Sequence, residues 1–267
     1  MAPLAGALSD ADVIEAAASV AKAFDAELAC VHAPADLSEL APWVGDGFVG
    51  GGAPIAALEG LRQAAADGEK IARAALKAQA YANSSFIALE APIWAGLGLE
   101  SRLSDLVVFD AKAAGRGSSA LGGAFRQVLA DEQRPVLIAS EPGKVDGVTE
   151  VAGDGGKEAT RAVRTAQPRL QKAKEVVVLT APEATSRKLD PARIAQFLEA
   201  RGAAARLVTV SGSQEPARLL LSAAHEAGAD LMVAGAFGHP RLQEFIFGGV
   251  TRDLLSATDA PALFLSH

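Results

Sequence analysis

Residues 229–266 read ADLMVAGAFGHPRLQEFIFGGVTRDLLSATDAPALFLS, and this stretch decides the fold. The apolar run at 230–234 predicts a buried strand, and a second apolar run predicts another strand after Pro261. Residues 250–257 lie between the two runs and have the pattern of a helix. Because both strands are apolar throughout and a helix separates them, the stretch predicts parallel strands covered on both faces, as in α/β proteins.

The same pattern occurs earlier in the chain, which indicates an internal duplication. Three pairs of strand-like segments correspond in order: 27–34 with 175–182, 104–109 with 229–234, and 134–140 with 260–266. Gly123 precedes Pro135 by the same number of residues as Gly249 precedes Pro261. A chance similarity between apolar strands would not also preserve this spacing, so the sequence predicts two repeats.

The duplication predicts two α/β units, at residues 1–143 and 144–267, with the polar segment 141–147 as their linker. We expect each unit to be a doubly wound parallel sheet of five strands in the order 3-2-1-4-5. Each unit ends with an apolar strand at a sheet edge. Because exposed edges invite pairing, we expect the two final strands to pair and the chain to form a pseudo-symmetric internal dimer.

Helices are predicted between the strands, at 11–24, 55–82, 191–201 and 215–227. The last two end at Gly202 and Gly228, and glycine is a common helix stop. The first strand, near 3–8, is weak because Pro3 and a glycine interrupt it. The glycine-dense segment 42–54 is predicted to be a surface loop.

Composition excludes several classes of protein. Of the 267 residues, 50% are hydrophobic and 21% are charged, which is the balance of a folded chain rather than a disordered one. The formal net charge of −7 and the lack of a basic run argue against binding to nucleic acid or to a membrane. The single cysteine, Cys30, excludes an intrachain disulfide and is expected in the core. The chain is therefore predicted to be reduced and cytoplasmic.

Three glycines after the strand at 230–234 have a spacing that suits an anion. Gly235 and Gly238 are separated by two residues, and Gly248 follows after nine more. Glycine lets backbone N–H groups approach a phosphate with no side chain in the way. The third glycine also stands at the start of a helix, where free N–H groups and the helix dipole favour an anion.

A second motif, Gly153-Asp-Gly-Gly156, follows the strand at 148–152. In a doubly wound sheet, ligands bind where the strand order reverses, outside the carboxyl ends of the two strands at that point. In the order 3-2-1-4-5 these are the first and fourth strands. Asp154 and the glycine loop follow those two strands, so both motifs are predicted to converge on one crevice. Asp154 as a simple helix cap stays open as the alternative.

With these motifs, the chain resembles a tandem universal stress protein whose second repeat is better preserved. Nucleotide-binding members of that family have G-x2-G-x9-G-[S/T] after the fourth strand and an Asp-Gly-Ser-like turn after the first. This chain has Gly235-x2-Gly238-x9-Gly248 and the turn at 152–156. The resemblance implies an adenine nucleotide alpha-hydrolase-like fold and, as in some members, ATP or another adenine nucleotide such as AMP bound in the crevice, with magnesium as a further candidate.

The resemblance also implies which residues would contact the nucleotide. They are Ala152, Asp154, Ala181, Gly235, Gly238, Gly248, Gly249, Val250 and Thr251. The three spaced glycines would line the phosphates and ribose, and Gly249 and Val250 would offer backbone N–H groups. Ala152 and Asp154 would lie near the adenine and ribose, and Ala181 would border the adenine.

The chain departs from the family pattern at two places. The family's Ser or Thr after the third glycine is Gly249 here, which removes a side-chain donor, a loss of about 0.5–1.5 kcal/mol unless Thr251 replaces its hydroxyl. In the first repeat, Asp110 stands where Gly235 does and Ala113 where Gly238 does. A carboxylate there would repel a phosphate, so we expect at most one nucleotide site, in the second repeat.

The sequence favours a regulatory binding protein over an enzyme. No general base, metal cluster or catalytic motif accompanies the glycine loop, and His225 and His239 have no partner at triad or metal-ligand spacing. Two alternatives stay open. One is a nucleotide-independent stress-response protein that acts through protein contacts, and the other is a slow ATP hydrolase of related fold. A homo-oligomer beyond the internal pairing also stays open.

Overall fold

The computed structural model of the chain describes residues 1–33, 53–89, 93–115, 121–139, 146–180, 189–212, 214–236 and 249–267. Within the helical residues 53–58, 61 and 93–95, only the backbone is described. Strands and helices alternate along these ranges, which is the order that the apolar segments predict.

The strands within the described ranges are β1 (Ala2–Leu4), β2 (Leu28–His32), β3 (Ser84–Ala88), β4 (Val107–Asp110), β5 (Val136–Ala139), β6 (Val148–Ala152), β7 (Glu175–Thr180), β8 (Ala205–Thr209), β9 (Leu231–Gly235) and β10 (Ala262–Ser266). The helices there are α1 (Asp10–Phe24), α2 (Ala53–Gln79), α3 (Ile93–Ser101), α4 (Ala111–Ala114), α5 (Gly122–Ala130), α6 (Lys157–Leu170), α7 (Ala192–Glu199), α8 (Pro216–Ala227) and α9 (Gly249–Ser256).

The local sequence explains several element boundaries. The helix α8 begins with Pro216, whose ring presets a helical φ, and ends at Gly228, which has a φ of 60°. The backbone N–H of this glycine donates to the carbonyl groups of Ala224 and His225, which closes the helix. The weak first strand is present, but it covers only Ala2–Leu4, because Gly6 then turns the chain with a φ of +75°.

The strands form a sheet of seven, in the order β4-β5-β10-β9-β6-β7-β8, and a sheet of three, in the order β1-β2-β3. All neighbouring pairs are parallel except β5 and β10, which pair antiparallel with Val136 opposite Leu265 and Ile138 opposite Leu263. The five strands after residue 146 therefore lie in the order β8-β7-β6-β9-β10.

The prediction of two sheets of five strands each is wrong in how the strands are divided. The strands β4 and β5 belong to the sheet of the C-terminal half, which gives seven strands and three. The reason is the shortness of β1. Its contact with β4 rests on two backbone hydrogen bonds, from the Met1 amino group to the Leu106 carbonyl (2.8 Å) and from the Val108 N–H to the Met1 carbonyl (2.9 Å).

Two apolar layers cover the sheets, and each joins residues from both halves of the chain. In one layer, Ile14 of α1 lies in the same cluster as Val163 of α6. In the other, Phe109 of β4 packs edge to face against Phe125 of α5, with ring centroids 5.3 Å apart, in a cluster that includes Met232 of β9. The core thus runs across the antiparallel pair of β5 and β10.

Several smaller predictions have outcomes here. Cys30 is buried in β2, which confirms its place in the core. The long helix predicted at 55–82 is α2, Ala53–Gln79. The predicted loop at 42–54 lies outside the described residues, except for the first two residues of α2. Across the described ranges, no helix has both the length and the apolar character that crossing a membrane requires.

Candidate functional site

The carboxyl ends of β6 and β9 lie side by side, because the two strands pair in parallel with Val151 opposite Val233. The strand β7 lies beyond β6, and β10 lies beyond β9. The chain therefore leaves the two central strands toward opposite sides of the sheet. This is the point at which the strand order reverses, and α/β sheets bind ligands outside the strand ends there. The turn at 153–156 and residue Ala236 directly follow the two strands, and we call the region outside these strand ends the crevice.

The turn after β6 is fixed by its own backbone. The N–H of Gly153 donates to the carbonyl of Leu179 (2.9 Å), and the carbonyl of Gly155 accepts from the N–H of Leu189 (2.9 Å). Gly155 has a φ of +76°, and a Cβ there would collide with the carbonyl oxygen of Leu189. Only glycine fits this position without moving the backbone.

Asp154 is exposed at the tip of this turn. Its carboxylate accepts a hydrogen bond from the N–H of Gly156 (2.8 Å), directly before α6 begins. This bond forms a turn before the helix, and the N-cap residue of α6 is Gly156, so Asp154 does not occupy the helix-cap position of the alternative. The same carboxylate lies two residues beyond the end of β6.

Gly235 has a packing reason to be glycine. A Cβ there would come 2.5 Å from the carbonyl carbon of Glu158 and 2.6 Å from the nitrogen of Ala159. The first turn of α6 therefore lies directly against the end of β9. The sequence predicts glycine at this position for the approach of a phosphate, whereas the structure shows the close approach of a helix.

The helix α9 begins at Gly249, and a Cβ there would meet no atom of the described part of the chain within 4 Å. Val250 is exposed and Thr251 is buried in the first turn. This helix leads into β10, the neighbour of β9 in the sheet. Three predicted site residues, Ala181, Gly238 and Gly248, lie outside the described residues, as does His239. The structure thus brings Ala152, Asp154 and Gly235 to one edge of the sheet and places Gly249, Val250 and Thr251 at the start of a helix.

Basic groups near the crevice come from a helix that the sequence analysis did not single out. On α6, Arg161 donates to the backbone oxygen of His267 (2.6 Å), and the His267 ring nitrogen Nδ1 lies 3.2 Å from the carbonyl oxygen of Ala236, just beyond β9. Lys157, one turn earlier, pairs with Glu158 at 3.3 Å. The sequence does indicate these basic groups, because Lys157 directly follows the glycine turn and Arg161 comes one helical turn later.

A buried carboxyl group lies one pleat below the crevice. Glu150 is in the middle of β6, two residues before Ala152 and on the same face of the sheet, and it is 0% exposed. Neither of its carboxylate oxygens has a hydrogen-bond partner among the residues that the structure describes. Burial raises the pKa of Glu150 to about 8, so the group is mostly protonated at neutral pH.

In the first half of the chain, the strand end that corresponds to the end of β9 has a carboxylate in place of glycine. Asp110, at the position matched to Gly235, ends β4 and caps α4, because its Oδ1 accepts from the N–H of Ala113 (2.6 Å).

The side chain of His225, on α8, is exposed, and its Nε2 lies 2.9 Å from the carbonyl oxygen of Asp259. Within the described ranges, no three His, Cys, Asp or Glu side chains meet in a way that could hold a metal ion.

Residues 149–265 match the sequence model of the Universal stress protein family, so the C-terminal part of the chain contains one universal stress protein domain. A universal stress protein from Archaeoglobus fulgidus has a similar structure, with a TM-score of 0.70 and 16% identity over 99% of this chain and 95% of that one. A functionally unknown protein from Pseudomonas aeruginosa is also similar, with a TM-score of 0.50 and 13% identity over 93% of this chain and 84% of that one.

These two likenesses show the α/β fold with parallel strands. A universal stress protein solved in complex with cAMP matches 46% of this chain and 99% of that one, with 21% identity and a TM-score of 0.34. Among curated proteins, no sequence matches this chain.

Proposed function

We propose that the C-terminal domain binds an adenine nucleotide, ATP or AMP, in the crevice between the carboxyl ends of β6 and β9. The observation that supports this most is the pairing of these two strands, which brings Asp154 and Gly235 to one switch point. The crevice lies within the residues that match the Universal stress protein family. In this proposal the chain acts in the cytoplasm as a regulatory protein, and binding rather than catalysis is its activity.

The proposed contacts follow the two borders of the crevice. Backbone N–H groups of Gly249 and Val250 would bind the phosphates at the start of α9, together with Gly238 and Gly248. Ala152 and Asp154 would lie beside the adenine and ribose, with Ala181. The cations of α6 described above would offset the phosphate charge, and magnesium would accompany a triphosphate.

We further propose that the chain is a tandem of two repeats, 1–143 and 144–267, that pair as an internal pseudo-dimer. Support comes from the antiparallel pairing of β5 with β10, the final strands of the two predicted repeats. Both apolar layers cross this pair. The likeness to the Archaeoglobus fulgidus structure also extends over nearly the whole chain, beyond the matched domain.

Calorimetric titration with ATP, with and without magnesium, tests nucleotide binding directly. The sharpest variant is Gly249→Val, because a Cβ there meets no atom of the described residues within 4 Å, so we expect the added side chain to leave the fold intact. It would stand between the α9 N–H groups and a phosphate, so we expect affinity to fall at least tenfold. The matched control is Gly123→Val, at the corresponding position of the first repeat, where a Cβ also meets nothing within 4 Å. Equal affinities of the two variants would contradict the site.

One observation favours a second candidate, a stress-response protein that works through protein contacts without a nucleotide. The packing of α6 against Gly235 accounts for that glycine without any ligand. Purified protein that contains no nucleotide by mass spectrometry, and that releases no heat with millimolar ATP or AMP, would favour this candidate. A steady release of phosphate above the buffer control would instead indicate a slow hydrolase, and we expect no such release.

A further inference from the structure

A carboxylate occupies a cradle of backbone N–H groups at the end of β1. Asp10 accepts hydrogen bonds from the N–H groups of Ala5 (3.1 Å), Gly6 (2.8 Å) and Ala7 (3.3 Å). We call these three N–H groups the amide cradle. Asp10 is only 3% exposed, whereas its three hydrogen bonds to the loop are partly buried. Successive N–H groups that point to one place form a concavity that binds anions.

The amide cradle lies at the counterpart of the crevice in the C-terminal half. It directly follows β1, the first strand of the N-terminal half, as the glycine turn directly follows β6. The start of β1 lies beside β4, through the backbone bonds of Met1 with Leu106 and Val108. In the N-terminal half, a side chain of the same chain fills the N–H groups that follow the first strand.

The helix α2 packs directly against the loop that forms the amide cradle. Gly6 packs against Gly68 of α2 so closely that a Cβ at Gly6 would come 2.5 Å from the Cα of Gly68. Gly6 also has a φ of +75°, which side chains rarely adopt. The two glycines thus let the loop and the helix meet with only backbone between them. No space for a nucleotide is left between these two segments.

A buried imidazole faces the same place without a partner. His32, at the end of β2, is 3% exposed, and its Nε2 has no hydrogen-bond partner among the described residues. A Cβ at Gly6 would come 3.0 Å from this nitrogen. The ring stacks on Phe86, with centroids 6.4 Å apart. Burial lowers the pKa of His32, with Asp10 and Glu69 acting against that shift and Arg73 adding to it.

We propose that the amide cradle is an anion site that the chain fills with its own carboxylate. Asp10 holds the place that the carboxylate or phosphate group of a small ligand would take, with His32 as an adjacent, unused hydrogen-bonding group. The amide cradle therefore binds no external anion while Asp10 is present. This inference does not depend on nucleotide binding in the C-terminal half, because it concerns separate residues.

Rescue of an Asp10→Ala variant by small anions tests the proposal. Removing the carboxylate takes away the hydrogen-bond acceptor of three partly buried N–H groups, so we expect Tm to fall by about 5–10 °C. Formate should then raise the Tm of the variant in a saturable way, and more than chloride does at the same ionic strength. The wild-type protein, whose cradle is full, should respond equally to the two salts. Asp12→Ala is the matched control, because Asp12 lies in the same first helical turn but is exposed.

Equal effects of formate and chloride on Asp10→Ala would overturn the proposal. If that variant does not fold in chloride, its recovery of native circular dichroism in formate is the same test, and no recovery is the contrary result. Asp10→Asn gives an independent measurement. Its amide oxygen still accepts hydrogen bonds and its side chain still fills the cradle, so we expect a smaller loss of Tm and no response specific to formate. A formate response as large as that of Asp10→Ala would contradict the assignment.

Discussion

Gly235 at the end of β9 lies against Glu158 in the first turn of α6, so closely that a Cβ on the glycine would come 2.5 Å from the Glu158 carbonyl carbon. Backbone atoms cannot move aside as the end of a flexible side chain can. The contact therefore fixes how the helix that follows β6 sits on β9. It joins the two strands whose ends form the candidate site.

Replacing Gly235 with alanine should separate α6 from β9. The added methyl group must displace helix backbone, and overpacking of this kind destabilises proteins by about 1–3 kcal/mol. We expect Gly235→Ala to lower the free energy of unfolding by that amount, measured by urea denaturation. The control is Gly249→Ala, which adds a methyl group in open space at the start of α9. Alanine favours a helix over glycine by up to about 1 kcal/mol, so this variant should be unchanged or slightly more stable. Equal losses in both would contradict the packing argument.

The turn after β6 offers a second matched pair of glycines. Gly155 and Gly202 have similar φ values, +76° and +84°, so alanine at either position adopts a left-handed conformation that costs about 1–2 kcal/mol. A Cβ added at Gly202 meets no atom of the described residues within 4 Å. A Cβ added at Gly155 collides with the carbonyl oxygen of Leu189. We therefore expect Gly155→Ala to lose about 1–3 kcal/mol more than Gly202→Ala in urea denaturation. Similar losses would show that the turn moves aside without strain.

The parts of the fold that sequence predicts are those set by local pattern. The apolar run at 230–234 places β9 within one residue, because a strand buried on both faces has few polar residues. Gly228 marks the end of α8, because glycine adopts the φ of 60° that closes the helix. The division of strands between the sheets depends instead on how many backbone bonds the short strand β1 makes with β4. That is a tertiary property which no local pattern contains.

The candidate site shows the same division between local and tertiary information. Spacing indicates that Gly235 must be glycine, but it does not tell whether a phosphate or a helix approaches it. Asp154 is predicted either as a helix cap or as a ligand neighbour, and its bond to the N–H of Gly156 instead forms a turn before α6, whose N-cap residue is Gly156. Asp10 and His32 were not found from sequence, since they are 22 positions apart in the chain and meet only through the β1–β2 pair.

The buried thiol of Cys30 should be unreactive in the native protein. Burial raises the pKa of Cys30 to about 11, and the side chain is in the core. Because the thiolate is the reactive form, a shift of two pKa units lowers its fraction about 100-fold near pH 8, before access is considered. We expect a maleimide to label the protein only after unfolding in guanidinium chloride, as measured by mass spectrometry. Stoichiometric labelling of the folded protein would contradict the position of β2.

The carboxyl group of Glu150 should make stability fall as pH rises. Burial raises its pKa to about 8 from an ordinary value of 4.5, so above pH 4.5 the folded protein keeps a proton that the unfolded chain releases. The stabilisation is complete below the unfolded pKa and is lost as pH rises through the folded pKa. One pKa unit corresponds to 1.36 kcal/mol, so the loss across this window is on the order of 4–5 kcal/mol. Urea denaturation at several pH values between about 5 and 8 measures it.

Glu150→Gln separates this effect from all other titrations, because the amide has nearly the shape of the protonated carboxyl group and no charge in this range. The variant should show a much smaller fall in stability with pH than the wild-type protein. Glu59→Gln, on the exposed face of α2, removes a carboxylate without changing the core and should retain the wild-type slope. An unchanged slope in Glu150→Gln would mean that the folded protein solvates or pairs the ionised carboxylate. In that case the group would not be sealed in the apolar layer below the crevice, and the floor of the candidate site would be open to water.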